Sequence, residues 1–446
     1  MITLGPTARA LGATSSQAVS TPAALPSARS SRRLWEIDAL RGVMLVLMTI
    51  THIPTRFSNP LGQPFGFVSA AEGFVLLSGF VAGMVYTQRQ LRDGDAVMRD
   101  AFFKRALKLY LCQAALLLFL LGVIGLVGVA MHQPAITDLV SFFLDNPMTA
   151  LLSGLLLLYN PPLLDILPMY VLFMILSPLL LLHASRHGWD AIVVISGLVW
   201  LAVQFGLSQA GYDALVRLTG MPVPFRETGA FEMLAWQFVW VLGLWIGSSQ
   251  GAQQPVQPTP FPTWAVRFAL VYALIHLVWR HAIGQAPFPH DPQLSLLYDK
   301  WQLGPLRVIN FLCLVLLAMH YGPRLTRRLP RVRVLELLGE QSLPVFCAHL
   351  VLAMLTLVVF GAIDPKRPWS IDLALLVGCF GVLYLVARIS EQVDRKAAAA
   401  KSRFKERRAA RRQQRAPEPV PPFPTDRRAV PDAPRSPAAR AHSPPG

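Results

Sequence analysis

The sequence predicts an all-α fold, a polytopic membrane bundle of about ten transmembrane helices with disordered termini. Three observations predict it. Charged residues make up 15% of the chain and hydrophobic residues 53%, whereas soluble domains carry about 25% charged residues. The apolar residues come in blocks: Leu111 to Val129 holds no charge, and Ile192 to Gln209 is nearly as pure. An uncharged run of that length spans the roughly 30 Å core of a bilayer as a helix. Lys and Arg gather between the blocks and after the last one, as expected of loops on the cytoplasmic side. No stretch has the short alternating strands of an outer-membrane barrel.

Taken in order, residues 1–33 are rich in Ala, Ser, Thr and Pro and read as a disordered N-terminal segment. The membrane domain spans 34–392, with helices expected at 35–54, 67–88, 106–131, 166–183, 190–208, 230–248, 264–283, 303–320, 341–361 and 370–390. A further apolar patch, 148–158, is too short to cross and reads as an interfacial or re-entrant piece. Residues 393–446 form a basic, Pro-rich tail read as disordered and cytoplasmic. Three basic segments set the orientation: Arg89 to Lys108, Arg324 to Arg333, and the tail. Ten spans with both termini inside put all three in the cytoplasm and the 148–158 patch on the periplasmic side.

The formal charge of +16 invites a nucleic-acid partner, but its location argues against one. From Arg395 to Gly446 there are 14 Lys/Arg against 4 Asp/Glu. The run Arg403, Lys405, Arg407, Arg408, Arg411, Arg412 and Arg415 directly follows the last helix and would be drawn to anionic lipid headgroups. Cys112, Cys313, Cys347 and Cys379 all sit in apolar segments without metal-ligand spacing and read as small buried hydrophobes. No metal is expected.

An ionisable group inside a membrane helix is costly, so each is a candidate site residue. In the expected topology His52, Glu72, Asp165, Glu232, His276 and Arg307 lie towards the outer side. Asp38, Arg41 and Glu340 lie towards the inner side, and His349 nearer mid-membrane. Six outer groups on six helices suggest a polar cavity. On the first helix, Arg41 and His52 are 11 residues apart, about 20° apart around the axis and about 16 Å along it. They share a face at two depths. The arginine could anchor an anionic donor and the histidine could act as general base; a salt-bridged helix end with a terminal histidine is the bland alternative. Asp38, one turn earlier, is placed to pair with Arg41. The next helix is rich in small residues, with Gly79 and Gly83 in GxxxG spacing. Its plain role is packing, expected against the His52 helix.

The blocks Glu36-Ile37-Asp38-Ala39-Leu40-Arg41-Gly42, Thr49-Ile50-Thr51-His52-Ile53-Pro54, Leu61 to Phe67 and Ser69 to Gly83 resemble the OpgC family. So do Leu167-Pro168-Met169-Tyr170, Ala235-Trp236-Gln237, Asp299-Lys300 and Leu303 to Arg307. The resemblance runs from about residue 34 to 390. That family is similar to the acyltransferase-three superfamily, whose first-helix Arg and His, separated by ten residues, match Arg41 and His52. A late Gly-x-x-Ser block followed by His resembles Gly339 through His349. One departure is Phe231-Glu232-Met233, where Phe-Asn-Pro is expected, and it puts any carried role for Glu232 in doubt.

The resemblance implies an inner-membrane O-acyltransferase that moves an acyl group, succinyl from succinyl-CoA, onto hydroxyls of a periplasmic glucan. The implied catalytic set is His52, Arg41 and His349; the substrate-binding set is Asp38, Glu72, Asp165, Glu232, Lys300 and Arg307. Acyl-CoA is a donor substrate, with no permanently bound cofactor. Partners are membrane lipids, acyl-CoA and a periplasmic glucan or other glycan, with no nucleic acid. His349 is either a second catalytic group or a core histidine, and Ser78, a conceivable nucleophile, sits in a packing motif. Two alternatives stand beside this reading: acetyl transfer from acetyl-CoA to another envelope polysaccharide, and a polytopic exporter of glycan or lipid. Transport predicts inverted repeats and broken helices, and the sequence shows neither clearly.

Overall fold

The computed structural model describes residues 34–252 and 261–414. The expected disorder of 1–33 and of 415–446 falls outside the described residues. Every regular element among the described residues is helical. The longer helices are α1 Trp35–His52, α2 Ala70–Asp93, α3 Asp95–Ala130, α4 Pro147–Leu155, α5 Ile166–His187, α6 Asp190–Val203, α7 Leu207–Thr219, α8 Met233–Gly251, α9 Thr263–Ile283, α10 Pro305–Leu325, α11 Arg333–Glu340, α12 Ser342–Phe360 and α13 Trp369–Gln414.

Each of the ten expected spans coincides with one of these helices. Seven are long and apolar enough to cross a membrane, or eight if α6 and α7, bent by 81° at their junction, count as one span. The expected single helix over 190–208 thus breaks after Val203, where Gly206 takes a left-handed conformation (φ +87°). The first helix falls short on composition because Glu36, Asp38 and Arg41 share 18 residues. In α8 the polar residues Gln237, Ser248, Ser249 and Gln250 have the same effect. At nine residues, α4 is too short to span.

Two expectations change. The basic segment Arg89 to Lys108 is not a loop: α2 runs to Asp93 and α3 starts at Asp95, joined by Gly94 at φ +88°. The final helix continues to Gln414, so the first part of the 393–446 segment is helical. The chain divides into two units, Met1–Glu391 and Gln392–Gly446.

Packing is governed by glycines that let backbones meet. The Gly79/Gly83 face of α2 packs against α8, not against α1 as the sequence suggested. A Cβ at Gly83 would lie 2.3 Å from the Leu244 carbonyl oxygen, and one at Gly247 would lie 1.9 Å from that of Phe80. Gly243 and Gly251 repeat the contact against Leu76 and Met84. The correction has a simple cause: α8 supplies its own small residues at matching intervals, so the two backbones interlock reciprocally. The first helix instead pairs closely with α11. Gly42 rests on the Leu335 carbonyl, and a Cβ at Gly339 would lie 1.8 Å from the Asp38 carbonyl oxygen. It also meets α2 and α12, and α12 carries Ser342 and His349, the partners of its Arg41 and His52.

Gly247→Ala should therefore cost about 1–3 kcal/mol through overpacking, read as a lower unfolding temperature in detergent. Gly378→Ala on α13, with nothing within 4 Å of the added methyl, should be neutral or slightly stabilising. Equal behaviour of the two variants would contradict the interlocked packing.

Candidate active site

His52 is the last residue of α1, where the backbone N–H of Ile53 closes the helix on the Thr49 carbonyl at 3.1 Å. His349 is fully buried on α12. Its Nδ1 lies 2.8 Å from the Phe346 carbonyl oxygen. A carbonyl only accepts, so Nδ1 carries the hydrogen and, in the neutral ring, Nε2 offers a lone pair. The Nδ1 of His52 lies 2.9 Å from that Nε2 and must be the donor. The chain of hydrogen bonds leaves the Nε2 of His52 bare, the form required of a base. The two rings stack at 5.2 Å with 17° between their planes, and Phe346 stands edge-on to His349 at 4.9 Å. The sequence left His349 open between catalysis and core; the structure brings it into direct contact with His52.

Arg41 lies further down α1, in a cavity of about 240 Å³. Its Nη2 donates to the Ser342 hydroxyl at 2.5 Å. Ser78, Tyr170, Arg105, Glu340 and Phe346 are also in the wall. The two guanidinium groups and the hydroxyls of Ser78, Tyr86, Tyr170 and Ser342 suit a phosphate or another polyanion, while Glu340 opposes one on its own side. Phe346 belongs both to this cavity and to the surroundings of His349, so the arginine chamber and the histidine pair are neighbours. Asp38 is buried on the same helix, its carbonyl against Gly339, and does not line the cavity's described wall.

At the His52 end of the bundle the other predicted groups are tied into one network. Glu72 is wholly buried and pairs with Arg307 at 2.5 Å. It also accepts from the backbone N–H and the hydroxyl of Ser69, so the cap of α2 is also the counter-ion of α10. Arg307 donates a second bond to the Tyr298 carbonyl at 3.4 Å. His276, between the Tyr272 carbonyl and the Tyr298 hydroxyl at 2.8 Å each, completes the group. Lys300 lies over the rings of Trp301 (4.4 Å) and Phe231 (5.7 Å), within electrostatic reach of Glu72, Arg307, Asp165 and Asp299. Its charge is also felt at His52. Burial lowers the Lys300 pKa.

Asp165, just before α5, accepts from the Ala230 backbone N–H at 3.1 Å, and burial pushes its carboxyl up to about 6. Glu232 precedes α8; its backbone N–H donates to the Trp301 carbonyl at 3.1 Å, and burial raises its carboxyl. Asp165 and Glu232 thus brace the 229–232 and 301 backbone. Among the described residues no group of His, Cys, Asp and Glu could hold a metal ion.

Sequence reasoning missed Arg367 and Asp372. Asp372 is 1% exposed and accepts from the backbone N–H of Arg56 at 3.0 Å and from its Nε at 3.3 Å. Arg367 donates to the Pro54 carbonyl at 3.0 Å. A signal existed: Arg56 and Arg367 lie at ends of helices on the side that the sequence's basic segments predict to be periplasmic, where arginines are depleted and need a specific partner.

The family model for the OpgC protein matches residues 33–395 of this chain. No curated protein and no solved structure matches it.

The raised carboxyl of Asp165 makes stability depend on pH. Its folded value, about 6, lies above the ordinary aspartate value of 3.8. The folded state therefore holds the proton longer, and stability falls as pH rises between those values. Asp165→Asn should match wild type near pH 4 and exceed it by up to about 2–3 kcal/mol near pH 7. Thermal unfolding of both proteins across that range checks it, and parallel curves would refute it.

Proposed function

The chain belongs to the OpgC protein family, and from that premise we propose that it is a membrane O-acyltransferase transferring an acyl group, succinyl from succinyl-CoA, to hydroxyls of a periplasmic glucan. The observation that carries the chemistry is the Phe346 carbonyl–His349–His52 relay, because it leaves a basic nitrogen on His52 in a partly buried position. Kinship to the acyltransferase-three superfamily is part of the same reading.

In this mechanism the anionic end of acyl-CoA is held by Arg41 and Arg105, with Ser342 and Ser78 as hydroxyl partners. The arm passes Phe346 towards the histidines, a climb of about 16 Å from Arg41 to His52 along one helix face. A glycan hydroxyl approaches His52 from the other side. His52 Nε2 takes its proton as the oxygen attacks the thioester carbonyl. The carbon–sulfur bond breaks and the ester carbon–oxygen bond forms. His52 returns the proton to the departing thiolate. His349 accepts the Nδ1 hydrogen of His52 throughout, which fixes the tautomer and stabilises the transient imidazolium. Lys300 supplies positive charge near the reacting centre, where a negative oxyanion develops. The buried Glu72–Arg307 pair holds α2 to α10 and, through the Tyr298 carbonyl, supports the 298–301 segment that carries Lys300. Asp165 and Glu232 shape the loop at 229–232, and Asp38 supports the α1–α11 contact at the donor end. No covalent enzyme intermediate is required, and Ser78 serves as a donor-cavity hydroxyl.

The proposed topology has ten spans in the inner membrane, both termini in the cytoplasm, and α4 on the periplasmic side. Reporter fusions near Arg328 and at the C-terminus should give cytoplasmic signals; a periplasmic signal from either overturns it.

His52→Ala should lower transfer per folded molecule by about 10²–10⁴-fold with little change in donor affinity. Arg41→Lys keeps charge but loses the planar fork, so it should raise the apparent KM for acyl-CoA and retain turnover at high donor. His349→Ala should fall between wild type and His52→Ala. Mass spectrometry of periplasmic glucans, with thermal stability measured in parallel, checks all three. Near-normal specific activity in His52→Ala ends the general-base reading.

A further inference from the structure

The His52–His349 hydrogen bond joins side chains on two different helices, so it exists only if α1 and α12 keep a fixed axial offset. One helical turn is about 5.4 Å, while a hydrogen bond tolerates only a few tenths of an ångström. Something must hold that offset, and one side chain touches the far ends of both helices. We infer that Arg367 is the positioning residue for the histidine pair, fastening the ends of the two helices that carry it.

Arg367 Nη1 donates to the carbonyl of Pro54, two residues beyond His52, at 3.0 Å. Its Nη2 donates to the carbonyl of Phe360, the last residue of α12, and to that of Ala362, both at 3.4 Å. The guanidinium also lies over the Phe360 ring, 5.2 Å from its centroid. Asp372 holds the fork in place: its Oδ1 lies 3.3 Å from Arg367 Nη1. Its Oδ2 takes the backbone N–H of Arg56, fixing the chain just after Pro54. Arg56 closes the ring by donating from Nη2 to the Arg367 carbonyl. The clamp is buried, with Arg367 at 9% and Asp372 at 1% exposure.

Stability alone does not account for this arrangement. A buried ion pair carries a desolvation cost that apolar replacements of similar shape avoid, often with no loss of stability. An apolar pair cannot hold chosen carbonyls from two helices at set distances. A planar guanidinium can, and a lysine, with one rotatable ammonium, reaches fewer of them at once. Arg367 touches neither the histidines nor the Arg41 cavity's described wall, so it acts through the backbone of α1 and α12.

The kinetic part of the test rests on the acyl-transfer reading; the spectroscopic part does not. In the full-length protein, Arg367→Ala should lower kcat by about 10- to 100-fold, the range expected from a small misplacement of a catalytic group. The KM values for donor and acceptor should stay within about 2-fold. Arg367→Lys should lie between. The deciding measurement is a double-mutant cycle. If Arg367 works through the histidine pair, Arg367→Ala should cost less than about 2-fold further in a His349→Ala background. An equal fold-loss in both backgrounds overturns the inference and makes Arg367 a general fold support, as does unchanged kcat. If the alanine variant does not accumulate, Arg367→Lys in the two backgrounds decides by the same rule. Without substrate, ¹⁵N spectra of the wild type should report His52 as the Nδ1–H tautomer, and Arg367→Lys should mix the tautomers. An unchanged tautomer overturns the inference. A mixed tautomer in a protein whose wild type transfers no acyl group leaves the positioning role standing and removes the acyltransferase reading.

Discussion

Inside an apolar bundle there is no water to complete a polar group's hydrogen bonds, so a charge on one helix must meet its counterpart on another. That constraint organises this protein. Glu72 on α2 meets Arg307 on α10, Arg41 on α1 meets Ser342 on α12, and His52 on α1 meets His349 on α12. Each contact joins segments more than two hundred residues apart in sequence. The polar groups thus act as register pins in a bundle whose apolar surfaces alone would slide, since side chains meeting lipid or one another are chemically alike. Glu72 does this twice over, because the carboxylate that completes the cap of α2 is also the counter-ion of Arg307.

Register pins can work only if the helices come close, and glycines provide the approach. The reciprocal Gly79/Gly83 and Gly243/Gly247/Gly251 seam brings α2 and α8 into backbone contact. The Gly42 and Gly339 contacts do the same for α1 and α11. The second seam bears on function, because it presses the start of α1 against the segment leading into Ser342. Arg41 and Ser342 are brought together as a consequence, and the cavity they line has Phe346, the histidine pair's α12 neighbour, in its wall. Packing, electrostatics and the proposed chemistry are therefore linked through one helix, α1. It meets a polar partner on α12 at two depths, Ser342 through Arg41 and His349 through His52.

Much of this was legible in the chain. Long uncharged blocks such as Leu111 to Val129 can be satisfied only as helices in an apolar medium, so element type and approximate position follow from composition. Arg41 and His52 could be placed on one face because 11 residues is close to three turns. The unpaired look of Glu72 and Arg307 was also visible, since ionised side chains in such segments are rare and need partners. The short loops were harder. Gly94 replaced an expected basic loop with a single turn residue, because Arg99, Lys104 and Lys108 have good helix propensity and no breaker among them. Gly206 broke an expected straight span, because its left-handed conformation turns the chain where apolarity alone predicts continuation.

By itself the sequence determined the all-α class, the position of nearly every long helix, the family blocks and the shared face of Arg41 and His52. These depend on local chemistry, on what a segment of about 20 residues can bury and on the fixed rise and twist of a helix. Only the tertiary structure decided who meets whom. It assigned the glycine seam of α2 to α8, turned His349 from an ambiguous core histidine into the partner of His52, and showed that Arg367 and Asp372 tie the ends of α1 and α12 together. Pairings of this kind are set by the relative offset and rotation of whole helices, and many residues share that choice. No single segment encodes it, so it could be read only once the helices had been packed.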